Sequence, residues 1–175
     1  MADLIIDNPA LLLMIEHLEG SIVVQNKTVE QYCNENNLSS NVFIVLANLF
    51  NGFSVKPNHH FNNTEIDTII NYLSNSHKYY KSEKYPEIKY LIEQLGKQND
   101  SAEIKLVEQF FNDYFSEVIE HLNYEEKTAF PYFKTVLQKS TKQKVDSISA
   151  HEYSEHHSDV ESKLSELRDL LMKHI

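Results

Sequence analysis

The chain has 175 residues, of which 41% are hydrophobic and 24% charged, a balance typical of globular rather than disordered proteins. Its formal net charge of −10 disfavours a nucleic-acid surface, because phosphate binding depends on lysine and arginine. The sequence contains only 3 glycines and 4 prolines, which favours long helices over an all-β fold, whose turns consume both residues.

The sequence predicts a cytoplasmic protein without a membrane partner. Cys33 is the single cysteine, which excludes an internal disulfide and fits a reducing compartment. The first apolar run, residues 11–15, lacks the basic start of a signal peptide and is followed directly by Glu16. No apolar stretch approaches the roughly 18 residues that a membrane-spanning helix needs.

Residues 1–55 read as a small helical N-terminal subdomain. Asn8 and Pro9 predict the cap and first turn of a helix that runs through residue 18. Thr28 opens a capping-box pattern, and Ser39 or Ser40 is expected to cap a third helix. The apolar residues of that third helix are Phe43, Leu46, Leu49 and Phe50.

Three longer amphipathic patterns follow a linker at residues 52–63 and predict a helical bundle over 62–175. The first has its apolar stripe at Ile66, Ile69, Ile70, Leu73, His77 and Tyr80, with a kink expected near Pro86. The second has its stripe at Ile104, Val107, Phe111, Tyr114, Val118, His121 and Glu125. The third runs from about residue 142 to the C-terminus.

His121 and Glu125 are the first candidates for chemistry. They lie four residues apart on the apolar stripe of the second long helix, so both side chains face the core. A buried carboxylate costs several kcal/mol unless it is paired or bound to a cation. Taken alone, this spacing occurs often by chance and a hydrogen-bonded pair is its usual explanation.

The other two long helices also direct a histidine toward the core. His77 lies within the apolar stripe of the first, and His157 lies nearer the stripe centre of the third than His156, which is expected to face outward. A lone core-facing histidine is more often a structural hydrogen-bonder than a ligand. Three such helices, one with an added glutamate, instead favour a metal site built between facing helices, and imidazole and carboxylate suit iron.

Three segments resemble the motifs of hemerythrin-like domains, the HHE cation-binding family. The segment 120–133, EHLNYEEKTAFPYF, is similar to the second-helix signature of that family, a His-x3-Glu followed by Phe-Pro. The segments NSHKYYKSEKYPEI and EHHSDVESKLSEL resemble its first-helix and third-helix motifs. Residues 8–50 resemble the small helical domain that precedes the hemerythrin domain in the repair-of-iron-centres proteins.

This resemblance implies an all-α, up-down bundle that holds non-haem iron. It implies that His77 and His121 ligate one iron, that Glu125 bridges two irons, and that His157 ligates the second. Related proteins bind oxygen, sense oxygen or nitric oxide, or restore damaged iron–sulfur centres, so the implied ligand is a small gas molecule. No catalytic residue is assigned, and whether the protein is an enzyme is left open.

Two departures from the family pattern bear on the site. The fourth helix of the family normally supplies another His-x3-Glu, and here the sequence stops at the end of the third. The site is therefore expected to be di-iron only if the missing ligands are supplied, and otherwise mononuclear or empty. Val23 and Val24 stand where the repair proteins have adjacent cysteines, which weakens a thiol-dependent role.

Two other classes of function compete with an iron protein. The first is a metal-free helical regulatory or interaction module derived from a hemerythrin-like domain. The second is a ferritin-like oxidase, which normally uses two Glu-x-x-His pairs and further glutamates. The His-x3-Glu spacing of His121 and Glu125, with only one clear core glutamate, disfavours the oxidase.

A bundle with three of four helices is expected to expose an apolar trough along residues such as Ile66, Leu73, Val118 and Leu164. We predict that a homodimer covers it, since a symmetric pair can cover both troughs with one surface. Light scattering tests this prediction, and a clean monomer at micromolar concentration would eliminate the dimer.

Overall fold

The structure is a computed structural model that describes residues 1–55, 60–99 and 101–138, with isolated residues between Lys163 and Met172. Throughout these residues the chain is all-helical and contains no strand, as its composition predicts. The elements are α1 (Ala2–Asp7), α2 (Leu11–His17), α3 (Val29–Glu35), α4 (Ser40–Phe50), α5 (Asn63–Tyr79), π1 (Tyr80–Lys84), α6 (Tyr85–Gln98), α7 (Ala102–Tyr124), π2 (Glu125–Ala129) and α8 (Phe130–Gln138). None of the described helices is long and apolar enough to cross a membrane.

The chain divides into two compact units, Met1–Ser76 and His77–Ile175. The boundary falls inside α5, so most of that helix belongs to the first unit. The sequence predicts a different division, with a subdomain over 1–55 and a bundle over 62–175. That division follows the linker composition, and it stays a prediction.

Side-chain caps define two helix starts of the first unit, as their sequence patterns predict. The Thr28 hydroxyl accepts from the Gln31 amide while the Gln31 side chain accepts from the Thr28 amide, which completes a capping box. The Ser39 hydroxyl accepts from the Val42 amide at the start of α4. Caps of this kind stabilise a helix by about 1 kcal/mol because they satisfy otherwise unpaired amides.

The predicted cap at Asn8 is wrong. Residues 2–7 form an additional helix, α1, and Asn8 ends that helix instead of starting the next one. Helix α2 begins at Leu11 after Ala10, without a side-chain cap. The side-chain amide of Asn8 donates instead to the side-chain oxygen of Asn51, a residue distant in sequence, so a tertiary contact replaces the local one.

The core of the first unit forms where α2, α3 and α4 meet. Burial of each large apolar side chain in this core stabilises the folded state by about 1.5–3 kcal/mol, because the side chain is removed from water. The fully buried side chains are Leu11, Met14, Ile15, Tyr32, Cys33, Val42 and Phe43, with Ile69 and Tyr72 of α5 packed against them. Leu49, which the stripe pattern placed with this core, is exposed instead.

His17 is buried, although its sequence context predicts a surface residue. Its ring lies 5.8 Å from the ring of Tyr72, and its carbonyl accepts a hydrogen bond from the Asn75 side chain at 2.9 Å. Both partners come from α5, which lies far along the chain. The burial of His17 therefore cannot be inferred from the residues next to it in the sequence.

A buried glutamate joins the start of α4 to the start of α5. Glu65 accepts a 2.6 Å hydrogen bond from the hydroxyl of Ser39 and a 3.0 Å bond from the amide of Asn62. The Asn62 side chain in turn accepts from the Glu65 amide at 3.0 Å. These reciprocal bonds satisfy a carboxylate that is only 7% exposed, and they set where α5 begins.

In the second unit, α6 and α7 form an antiparallel helical hairpin. The Ser101 side chain caps α7 by accepting from Ile104, after a connection of three residues. Gly96 lies beside Ile104 near the connection, and Tyr85 lies beside Tyr114 farther from it. The sequence separation of facing residues therefore increases away from the connection, as in an antiparallel pair. The core side chains are Ile92, Val107, Phe111, Tyr114 and Val118, of which four continue the heptad stripe expected for α7.

The third long helix is predicted from residue 142 onward, and most of it lies outside the described residues. Those described between Lys163 and Met172 are helical, and the Lys163 ammonium pairs with the Glu117 carboxylate of α7. A hemerythrin-like arrangement of the bundle therefore stays a proposal, whereas the all-helical class is observed.

Gly20 provides a test of the packing in the first unit. A Cβ built there would collide with the hydroxyl of Tyr32, which is fully buried and donates to the Ser21 carbonyl at 2.9 Å. We expect Gly20→Ala to lower the free energy of unfolding by about 1–3 kcal/mol. Gly96→Ala is the control, because its Cβ meets only ordinary contacts and alanine favours the helix by about 0.5–1 kcal/mol. Urea unfolding followed by circular dichroism distinguishes the two, and equal effects would contradict the proposed collision.

Candidate metal centre

Glu125 is the acidic centre of the candidate site. It follows α7 directly and is the first residue of π2. The buried stripe of α7, which includes Val118, continues through His121 to this glutamate, so its carboxylate points inward and is only 4% exposed. A carboxylate buried to this extent requires charged or hydrogen-bonding partners.

Two histidines face this one carboxylate. The Nε2 atom of His77, near the end of α5, lies 3.2 Å from Oε2 of Glu125. The Nε2 atom of His121 lies 3.6 Å from Oε1, the other oxygen. Both histidine side chains are less than 10% exposed, so the three groups form a compact polar cluster within the apolar interior.

A second carboxylate lies on the opposite edge of the His77 ring. Oε1 of Glu126 is 3.2 Å from Nδ1 of His77. The same oxygen accepts a 2.8 Å hydrogen bond from the ammonium of Lys81. His77 is thus held between two consecutive glutamates, one on each ring nitrogen.

Phe130 covers one face of His77. The two rings are 5.3 Å apart between centroids with an interplanar angle of 29°, a stacked arrangement. Phe130 is 6% exposed, and the neighbouring Ala129 is fully buried. This apolar cover limits the access of water to His77 and lowers the local dielectric around the polar cluster.

Two π-helices flank the cluster, and each precedes a proline. Segment π1 is followed by Tyr85 and Pro86, and π2 by Phe130 and Pro131. Proline has no amide hydrogen, so the carbonyl four residues earlier loses its α-helical partner. In both cases that carbonyl lies within the π segment, where the wider turn rearranges the hydrogen bonding. The π-helix π1 lies just before Pro86, where the sequence predicts a kink, and the kink itself stays a prediction.

Buried tyrosines line the hairpin core of the same unit. The hydroxyls of Tyr85 and Tyr114 are 3.5 Å apart, and burial raises the pKa of Tyr85, so this hydroxyl stays protonated as a donor. Tyr114 is buried in this core, whereas Tyr80 is 39% exposed.

The structure brings together three of the four residues that are predicted from the sequence to bind metal. His77, His121 and Glu125 form the cluster, whereas His157 and its neighbour His156 lie outside the described residues. Sequence reasoning missed Glu126, Lys81 and Phe130 as partners of His77. Glu126 follows Glu125 in π2, and no sequence pattern records that both carboxylates approach one ring.

A metal ion requires several donor side chains that converge on one point. Within the part of the chain that the structure describes, no group of three or more His, Cys, Asp or Glu side chains is arranged to hold one. The donors of the cluster instead contact each other. In type they fit non-haem iron, because two imidazoles and one carboxylate are ligands that ferrous iron takes. The metal role of these residues therefore stays a prediction.

Comparisons with protein-family models, with curated proteins and with solved structures find no match for this chain. The resemblance to hemerythrin-like domains consequently rests on the three helix motifs and on the residues they contain.

The stacking of Phe130 on His77 predicts a spectroscopic signature. The two rings are stacked with centroids 5.3 Å apart, so we expect the ring current of Phe130 to shift the imidazole proton resonances of His77 upfield. We expect Phe130→Leu to move the His77 ring signals downfield while the helical content is unchanged, since leucine keeps most of the apolar cover. Proton NMR of the histidine region measures this, with His77→Gln for assignment. Phe133→Leu serves as the control, and an equal shift in that variant would show that the effect is not local.

Proposed function

We propose that this chain is a hemerythrin-like, non-haem iron-binding protein whose iron ligands include His77, His121 and Glu125. The observation that carries the proposal is the convergence of two buried imidazoles on one buried carboxylate. Helices α5 and α7 contribute His77 and His121, and Glu125 opens π2 directly after α7. These positions match the first-helix and second-helix motifs of the resembling family.

The donor types favour iron among the common metals. Two histidines with one carboxylate form the set of ferrous centres that keep open coordination positions. No thiolate lies among the donors, and Cys33, the single cysteine, belongs to the core of the first unit. The three donors support a mononuclear centre, and a second iron would need further ligands such as His157.

Bound at these residues, ferrous iron would supply open coordination positions for a small ligand such as dioxygen or nitric oxide. The chain's own contribution is burial and orientation. Glu125 places one oxygen toward each histidine, and Phe130 covers His77 from one side. The resulting dry environment strengthens the attraction between a carboxylate and a cation. These features support a role in handling or sensing such a ligand, or in the maintenance of iron centres.

A metal-free regulatory or interaction module is the second candidate. It is favoured by a specific observation, because the donors already contact one another, and His77 has a carboxylate within 3.2 Å of each ring nitrogen. Such a network can satisfy the buried groups without a metal. In that case the cluster would only stabilise and orient the helices of the second unit.

Iron content distinguishes the two candidates. Protein purified without chelators and loaded anaerobically with ferrous iron is expected to retain iron in a fixed stoichiometry and to show a visible spectrum on exposure to oxygen or nitric oxide. Glu125→Ala should lose most of this iron, because it removes the carboxylate that both histidines face. Elemental analysis after gel filtration provides the measurement.

Glu120→Ala is the matched control, since Glu120 is an exposed glutamate near the end of α7 and its loss should leave the iron content unchanged. Glu125→Gln keeps the shape of the side chain and separates loss of the ligand from loss of folding. An unchanged iron stoichiometry in Glu125→Ala would count decisively against the role given to Glu125. Wild-type protein that retains no iron would favour the metal-free module.

A further inference from the structure

Glu126 and Lys81 form a polar pair that the proposed ligand set does not use. One oxygen of Glu126 serves two partners, Nδ1 of His77 at 3.2 Å and the ammonium of Lys81 at 2.8 Å. The Glu126 side chain is 32% exposed and that of Lys81 is 22% exposed, so both lie at the edge of the buried cluster. The pair is therefore shielded enough to orient His77 and is not a freely solvated ion pair.

Consecutive glutamates reach opposite edges of one imidazole. Glu125 faces Nε2 and Glu126 faces Nδ1, each at 3.2 Å. Both residues open π2. Lys81 lies four residues after His77, about one helical turn, so it meets Glu126 on the same side.

We propose that Glu126 is a positioning residue that keeps a proton on Nδ1 of His77 and thereby presents Nε2 to the metal. This inference rests on the proposed function of iron binding. A histidine binds a metal through one nitrogen, and the hydrogen bond of the other nitrogen decides which one is used. Because Glu126 accepts at Nδ1, the nitrogen left for the metal is the one that faces Glu125.

Lys81 supports this arrangement by fixing Glu126. Without the ammonium, a carboxylate that is about one-third exposed would turn toward water, because solvation competes with a single bond to His77. The lysine also offsets one of the two negative charges beside the ring. We therefore expect Lys81→Met to weaken the positioning of His77, and to do so less than removal of Glu126 itself.

The first test uses the metal-free protein and does not depend on iron. Long-range proton–nitrogen spectra of ¹⁵N-labelled protein report which imidazole nitrogen carries a proton, and His77→Gln assigns the signals. In the wild type we expect a proton on Nδ1 of His77. Glu126→Leu should lose it or expose it to rapid exchange with water, whereas Glu126→Gln should retain it because its amide oxygen still accepts. An unprotonated Nδ1 in the wild type, or an unchanged signal in Glu126→Leu, overturns the proposal.

The second test measures the affinity for Zn²⁺, a diamagnetic and redox-inactive probe, by competition with a chromophoric chelator. We expect about a 10–100-fold weaker affinity in Glu126→Leu, the usual effect of removing a carboxylate that orients a histidine ligand. Glu126→Gln should recover part of the loss. Glu120→Gln removes the same charge from an exposed position of α7 and should leave the affinity unchanged. An affinity in Glu126→Leu equal to that of the wild type overturns the positioning role.

The two tests separate this inference from the proposed function. Wild-type protein that takes up neither Zn²⁺ nor ferrous iron overturns the proposed function, and with it any role of Glu126 toward a metal. A protein that binds metal but carries no proton on Nδ1 of His77 overturns only the positioning role. A protein that binds metal and loses both the Nδ1 proton and affinity in Glu126→Leu supports both.

Discussion

The burial of Glu125 is the constraint on which the organisation of the second unit depends. Removing a carboxylate from water costs several kcal/mol, and the cost is offset only where opposite charge or hydrogen-bond donors converge on it. His77 and His121 provide that convergence from two different helices. His121 lies in the last turn of α7 and Glu125 opens π2 directly after it, so His77 is the partner that comes from outside this helical segment.

Two prolines lie close to the cluster in sequence. Each interrupts the helical hydrogen bonding, and a π-helix ends two residues before it, shortly after His77 in one case and beginning at Glu125 in the other. Glu126, within π2, faces the same ring as Glu125, and Phe130, directly after π2, stacks on that ring. The candidate site therefore lies beside residues that read in sequence as helix breakers.

The cluster of His77, His121 and Glu125 is compatible with a metal centre and also with a hydrogen-bond network that contains no metal. The reason for both possibilities is chemical. Imidazole and carboxylate are both good metal ligands and good partners for each other. The distances of 3.2 and 3.6 Å separate histidine nitrogens from the carboxylate oxygens of Glu125. They are contacts between side chains and are not distances to a metal. The motif resemblance favours iron, while the comparisons with known proteins add no match. Metal content is therefore the decisive observable.

The sequence by itself determined the all-helical class, the cap at Thr28, a cap at Ser39 or Ser40, and the apolar stripe of α7. It also identified His77, His121 and Glu125 as candidate residues. These features depend on local periodicity and on contacts within one or two turns, which a sequence pattern records directly. The burial of His17, the pairing of Asn8 with Asn51 and the approach of Glu126 to His77 were decided only by the tertiary structure. Each depends on a residue far along the chain, and such a contact leaves no periodic signal in the sequence.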